Sequence, residues 1–198
     1  MSRIICLNGP VGSGKTTLLK RLNKYLPNCY VIREYIDVLP DAKDKLQQYL
    51  DGTYSAFSFQ EYILDYFESV AKELKDSSYD YILCERTPIE GIIFFAKLDL
   101  LNHRMNKAEY DYLINRAKSL KFYPNPLDDD ALTINTDRMS PYKISQYVLS
   151  KLHTNSFRII KLRASLPIIR ERIFRRGRSC EIEHYTDEYL RTMIESYI

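Results

Sequence analysis

The 198-residue sequence has no tryptophan, only three histidines and only four cysteines. Cys6, Cys29, Cys84 and Cys180 are scattered with no Cys-x-x-Cys pair, which argues against a disulfide framework or a zinc site and favours a reducing, cytoplasmic setting. His103, His153 and His184 do not cluster, so no histidine metal centre is expected. No apolar run approaches the ~18 residues of a membrane span. The opening stretch MSRIICLNGP has no apolar segment long enough for a secretory signal and reads as a buried strand. Net charge is also scarce. Lys and Arg number 29 against 26 Asp and Glu, and the resulting +3 implies neither a nucleic-acid partner nor a membrane surface. No internal repeat or low-complexity tract is present.

What remains is ordinary globular composition, 45% hydrophobic and 28% charged, which argues against disorder. At this length one domain over 1–198 is expected, and folding buries roughly 70% of the extended chain's surface. Short apolar runs alternate with helical stretches, the pattern of a parallel-sheet α/β domain. Strands are expected at 4–7, 29–33, 81–84, 132–135 and 157–162. Helices are expected near 15–26, 41–50, 57–75, 89–101, 107–119, 142–152, 166–176 and 185–196. Residues 123–130, with two prolines and three aspartates, form the clearest loop. The Asp128, Asp129 and Asp130 run has the oxygen ligands for a cation, although a solvated loop is the simpler reading.

The strongest motif is Gly9-Pro10-Val11-Gly12-Ser13-Gly14-Lys15-Thr16, which fits G-x-x-x-x-G-K-[ST]. Average residue usage produces that pattern on the order of once per hundred chains of this length. Here an apolar strand precedes it and a helical pattern (Leu18, Leu19, Leu22, Leu26) follows. Glycines let backbone N–H groups converge on phosphate oxygens, and the helix N-terminus favours the anion. Lys15 supplies charge to the β- and γ-phosphates, and the Thr16 hydroxyl suits Mg²⁺. ATP or GTP binding follows; the reaction does not, since kinases, motors and switches share this loop.

Three further features stand at or beyond the carboxyl ends of expected strands, where open α/β sheets bind ligands. They are Arg33-Glu34-Tyr35, Glu85-Arg86-Thr87 and an arginine run, Arg172, Arg175, Arg176 and Arg178, in which a helix breaks at Gly177. From Arg158 to Arg178 eight basic residues face one acidic, Glu171. Each feature alone has a plain reading as solvated surface.

Together behind the phosphate loop they resemble the deoxynucleoside kinase family, which includes thymidine kinase 2-like, deoxycytidine, deoxyguanosine and herpesvirus-type thymidine kinases. The resemblance covers 3–98 and 157–192. It implies a three-layer fold with a five-stranded parallel sheet flanked by helices and an arginine-rich lid at 172–182. It also implies ATP as phosphate donor at Gly9, Gly12, Ser13, Gly14, Lys15, Thr16 and Thr17, aided by Arg172, Arg176 and Arg178. Glu34 takes the place of the family's general base for the nucleoside 5′-hydroxyl, although Tyr35 stands where a proline is usual. Glu85 supports Mg²⁺ with Thr16, partly through water, and Arg86 holds the base and the reacting end. Phe59-Gln60-Glu61-Tyr62 resembles the helix whose glutamine pairs with the nucleobase. Tyr49 and Glu181 stand where the sugar 3′-hydroxyl is bound, and Phe95 where an aromatic stacks on the base. Purine-accepting members carry Arg and Asp where Phe67 and Gly91 fall, beside Ile63. That apolar lining implies a pyrimidine, thymidine before deoxycytidine. A homodimer, a small-molecule nucleoside substrate and a salvage role are the family's further implications.

Between Phe95 and the lid the chain departs from the family. Residues 131–137, then Ser140-Pro141 and an amphipathic helix, resemble its final strand, loop and helix, set ahead of Phe157. Leu132 to Asn135 is therefore expected as the fifth strand, with Asp137 to Ser140 near the adenine. Two rival readings stand. A thymidylate or other nucleoside monophosphate kinase shares the loop, lid and sheet, though it usually carries Asp-Arg-Tyr or Asp-Arg-Trp at 85–87. A non-catalytic nucleotide-binding module needs neither Glu34 nor a nucleoside pocket.

Overall fold

A computed structural model describes residues 2–126, 130–152 and 154–196, with the side chain of Cys180 excepted. The expectations placed on Asp128, Asp129, His153 and the Cys180 thiol fall outside the described residues. Five parallel strands form one sheet: β1 (Arg3–Asn8), β2 (Cys29–Ile32), β3 (Tyr81–Glu85), β4 (Ala131–Asn135) and β5 (Ile159–Arg163). Their spatial order is β2-β3-β1-β5-β4. Cys6 pairs with Cys84 on one side and Ile159 on the other, so β1 is central.

Strand periodicity divides the core in two. Ile5 and Leu7 of β1 and Leu83 of β3 face α1 (Lys15–Tyr25) and α7 (Pro141–Leu152). Ile4, Cys6, Ile82 and Cys84 face α3 (Ala56–Leu74) on the opposite side. A parallel sheet covered on both faces needs apolar residues at every position, and these strands supply them. Beyond α3, α2 (Ala42–Leu50) and α6 (Lys107–Ser119) complete a further apolar cluster around Phe59 and Leu113.

The strand expected at 132–135 joins the sheet as β4, at its edge, ahead of β5 in the chain. Only Ile134 of β4 is buried, as suits an edge strand covered on one side. The steps β1–α1–β2 and β4–α7–β5 run in the same direction through the sheet and put both helices on the same face. The two crossovers therefore share one hand, as the single-handed rule for parallel units requires.

Boundaries differ slightly from expectation. β2 stops at Ile32, leaving Arg33 outside, and β5 begins at Ile159 rather than 157. The helix expected at 89–101 is α4 (Pro88–Gly91), a π-helical turn (Ile92–Ala96) and α5 (Lys97–Leu101). Lid helix α8 (Leu166–Arg176) ends at Gly177 with φ 71°. Two short helices follow, an unexpected α9 (Ser179–His184) and then α10 (Asp187–Glu195).

Candidate active site

β1 ends at Asn8 and the chain turns at Gly9, whose φ is 143°. A Cβ there would lie 2.4 Å from the Leu162 carbonyl oxygen, so only glycine lets the loop pass β5. The loop closes at Gly14, also at positive φ, directly before the first turn of α1. Lys15 is buried, and its Nζ donates to Gly9 O (3.0 Å) and Pro10 O (2.9 Å) and pairs with Glu85 Oε1 (3.7 Å). Burial and the neighbouring Arg86 pull its ammonium down to about 8. Thr16 Oγ1 donates to Glu85 Oε2 at 2.8 Å.

Glu34, just past β2, and Glu85, the last residue of β3, have diverging affinities for a proton. Burial pushes Glu34 upward, but Lys15 and Arg86 outweigh it and hold the carboxyl below its usual value. Burial and the Glu34 charge push Glu85 up to about 7. Two carboxyls in one charged pocket thus separate into an ionised group and one that holds its proton near neutrality. Thr16 and Glu85 offer hard oxygen donors side by side at the helix N-terminus, a set that fits Mg²⁺ with room left for water and phosphate oxygens. A bound Mg²⁺ would neutralise charge on the phosphates there.

Arg86 occupies the left-handed region with φ 70°. Its NH1 donates to Gly9 O (2.9 Å) and to Glu90 Oε1 (3.0 Å), and its guanidinium lies 5.2 Å from the Phe95 ring centroid. Glu90 Oε1 also accepts from Gly9 N at 3.1 Å. This fully buried carboxylate, absent from the sequence reading, ties the phosphate loop to Arg86. Its only signal was a lone charge in an apolar run, four residues after an arginine.

One cavity of about 760 Å³ runs from this charged end to the helices beyond the sheet. Every expected site residue lines it except Gly9, which serves the turn. Lys15, Thr16, Glu34, Glu85 and Arg86 form one end. Tyr49 from α2, Gln60, Ile63 and Phe67 from α3 and Gly91 from α4 form the other, while Phe95 lies against Arg86 and Glu181 from α9 pairs with Arg176 and Arg178. Gln60 is 2% exposed and lines the cavity from α3. Phe67 packs edge-on against Tyr123, with centroids 5.2 Å apart. Tyr185 and Tyr189, stacked at 5.1 Å, also line the cavity and were not anticipated.

The lid arginines are engaged. Arg172 donates to Gly12 O (3.1 Å), Thr136 Oγ1 (3.0 Å) and Thr136 O (3.2 Å), joining α8 to the back of the phosphate loop and the end of β4. Arg176 pairs with Glu181, and Arg178 with Glu181 (3.3 Å) and Asp37 (3.6 Å). Of residues 137–140, Met139 lines the cavity, while Asp137 accepts from Ser165 N at 2.9 Å.

The family model described as deoxynucleoside kinase matches residues 5–126, well over half of the chain. Protein 143R of Invertebrate iridescent virus 6, described only provisionally as a kinase, is 28% identical over 123 residues, 60% of this chain and 58% of that protein. The match thus spans less than two thirds of this relative. Deoxyadenosine kinase from M. mycoides with bound dATP superposes with a TM-score of 0.63 at 22% identity, covering 98% of this chain and 81% of that one. The same enzyme with the products dCMP and dCDP gives 0.63 at 23%, over 98% and 80%. At such identity the likeness is one of fold.

Proposed function

This chain belongs to the deoxynucleoside kinase family, and from that premise we propose that it transfers the γ-phosphate of ATP to the 5′-hydroxyl of a deoxynucleoside, with a pyrimidine base preferred. The observation that carries the reading is a single cavity lined by the phosphate loop, an ionised Glu34 and the Gln60 amide. A side-chain amide lining a cavity offers a donor and an acceptor to a ligand. A nucleobase edge, offering donor and acceptor together, is such a ligand.

On this reading the base lies between Gln60 and Phe95, and the 5′-hydroxyl meets Glu34. The hydroxyl oxygen attacks the γ-phosphorus as the bond to the ADP oxygen breaks, and the hydroxyl proton passes to Glu34. Lys15 leaves the Gly9 and Pro10 carbonyls for the phosphates, and Arg86 neutralises charge between donor and acceptor. Arg176 and Arg178 close the lid side and exclude water. Thr16 and Glu85 would hold Mg²⁺. The pyrimidine preference is supported by Phe67, Gly91 and Ile63, which bring no charged group to the base end. A homodimer, a cytoplasmic setting and a role in salvage complete the reading and rest on family resemblance.

The test is phosphate transfer from labelled ATP to the four deoxynucleosides and to thymidine monophosphate. Thymidine is expected as the best acceptor, followed by deoxycytidine. Faster transfer to the monophosphate would replace this reading with a nucleoside monophosphate kinase. Deoxyguanosine or deoxyadenosine as the best acceptor would overturn the base preference alone.

A further inference from the structure

Glu90 on α4 is fully buried, while Thr87, Pro88 and Gly91 around it line the cavity. Its Oε1 accepts from two donors, Gly9 N at 3.1 Å and Arg86 NH1 at 3.0 Å. Its Oε2 has no hydrogen-bond partner among the described residues, so the carboxylate is held through one oxygen. Arg86 NH1 also donates to Gly9 O at 2.9 Å, which closes a triangle of Gly9, Arg86 and Glu90. A cationic donor binds a carboxylate more strongly than a neutral carbonyl, and more so away from water.

Gly9 O serves two cations, Lys15 Nζ at 3.0 Å and Arg86 NH1 at 2.9 Å. Donor phosphates are charged and compete with this neutral oxygen for both. The two cations differ in what else holds them. Lys15 has a second carbonyl, Pro10 O at 2.9 Å, and the more distant Glu85 Oε1 at 3.7 Å. Arg86 has the Glu90 carboxylate, and the Phe95 ring 5.2 Å from its guanidinium. Arg86 also stands close enough to Glu34 to help hold that carboxyl below its usual value. Were Arg86 to follow the phosphates, Glu34 would lose this neighbour each time the donor bound. The bond to Glu90 opposes that move.

We propose, resting on the nucleoside kinase reading above, that Glu90 is a positioning residue that keeps Arg86 beside Glu34 while ATP draws Lys15 away. Donor and acceptor then bind together without competing for one arginine. Glu90 touches neither substrate and acts through Arg86 and the Gly9 peptide.

The experiment measures the Kd of the deoxynucleoside that wild type phosphorylates best among the four. It is measured with and without the non-hydrolysable β,γ-imido analogue of ATP and Mg²⁺. Wild type, Glu90→Ala, the size-matched Glu90→Met and Glu90→Gln are compared, and thermal melting identifies the folded variants. In wild type the ratio of Kd without analogue to Kd with it is expected at or above one. In folded Glu90→Ala or Glu90→Met that ratio should fall ~10-fold, because the analogue now draws Arg86 from the acceptor. Glu90→Gln should keep most of the wild-type ratio, since its carbonyl can accept both bonds. A merely structural role would weaken binding of each ligand and leave the ratio unmoved. A wild-type ratio below one, an unchanged ratio in folded Glu90→Ala or Glu90→Met, or a Glu90→Gln ratio as low as theirs overturns the inference. Phosphorylation of a deoxynucleoside by wild type leaves the parent reading standing in each case. If no deoxynucleoside is phosphorylated, the parent reading fails and this inference with it.

Discussion

At the phosphate end of the cavity Glu34, Glu85 and Arg86 stand on or just past strand ends and Lys15 opens α1, close enough to shift one another's protonation. At the other end Tyr49, Gln60 and Phe67 stand on helices and present rings and one neutral amide. The first end is built to stabilise moving charge, which acts on the transition state. The second is built to orient a neutral molecule, which acts mostly on binding. Substitutions at the two ends should therefore separate in kcat and KM, and that separation can be broken experimentally.

The largest effect is expected at Lys15. Lys15→Ala removes the central cation and should lower kcat by ~10³-fold with the nucleoside KM little changed. An equal rise in nucleoside KM would erase the contrast between the ends. Glu90→Ala should follow. It releases the Gly9 amide and the Arg86 guanidinium together, with kcat falling ~10²-fold and chemical denaturation registering a loss of about 3 kcal/mol. Gln60→Leu, which keeps the volume but not the amide, should raise the nucleoside KM ~10-fold and spare both kcat and the KM for ATP. Steady-state kinetics on both substrates reads all three.

The smallest effect concerns pH and belongs to the charged end alone. Glu85, at about 7, takes up a proton below that pH and loses its capacity to hold a cation, while Lys15, at about 8, loses its charge above that. Activity should thus fall on both sides of a narrow optimum between those values in kcat/KM. The limbs should spread apart in kcat, where bound Mg²⁺ and phosphates stabilise both charged forms. Glu34 stays ionised throughout. A flat kcat/KM profile across this range would contradict the assignment.

Much of this was legible in the sequence because the phosphate end obeys local rules. The loop's glycines, the strand before it and the helix after it are adjacent in the chain, and β2 and β3 deliver Glu34 and Glu85 at their ends. The apolar run at 132–135 was readable as a strand, and its place at the edge beyond β5 fits the chain order that was expected to differ. What was not legible depends on long-range pairing. Glu90 and Asp99 are charges inside apolar stretches, buried because Arg86, Gly9, Tyr49 and Arg104 meet them from elsewhere. Helix α9 is short and polar, and Tyr185 and Tyr189 reach the cavity only because the chain turns back after the lid.

Replacing Glu34 with Gln tests the central assignment most directly, because it keeps shape and hydrogen bonding while deleting the base. Turnover of thymidine and ATP affinity measured on the same preparation should part company, with kcat reduced by ~10²- to 10⁴-fold and ATP binding retained. Undiminished phosphorylation by Glu34→Gln would contradict the account.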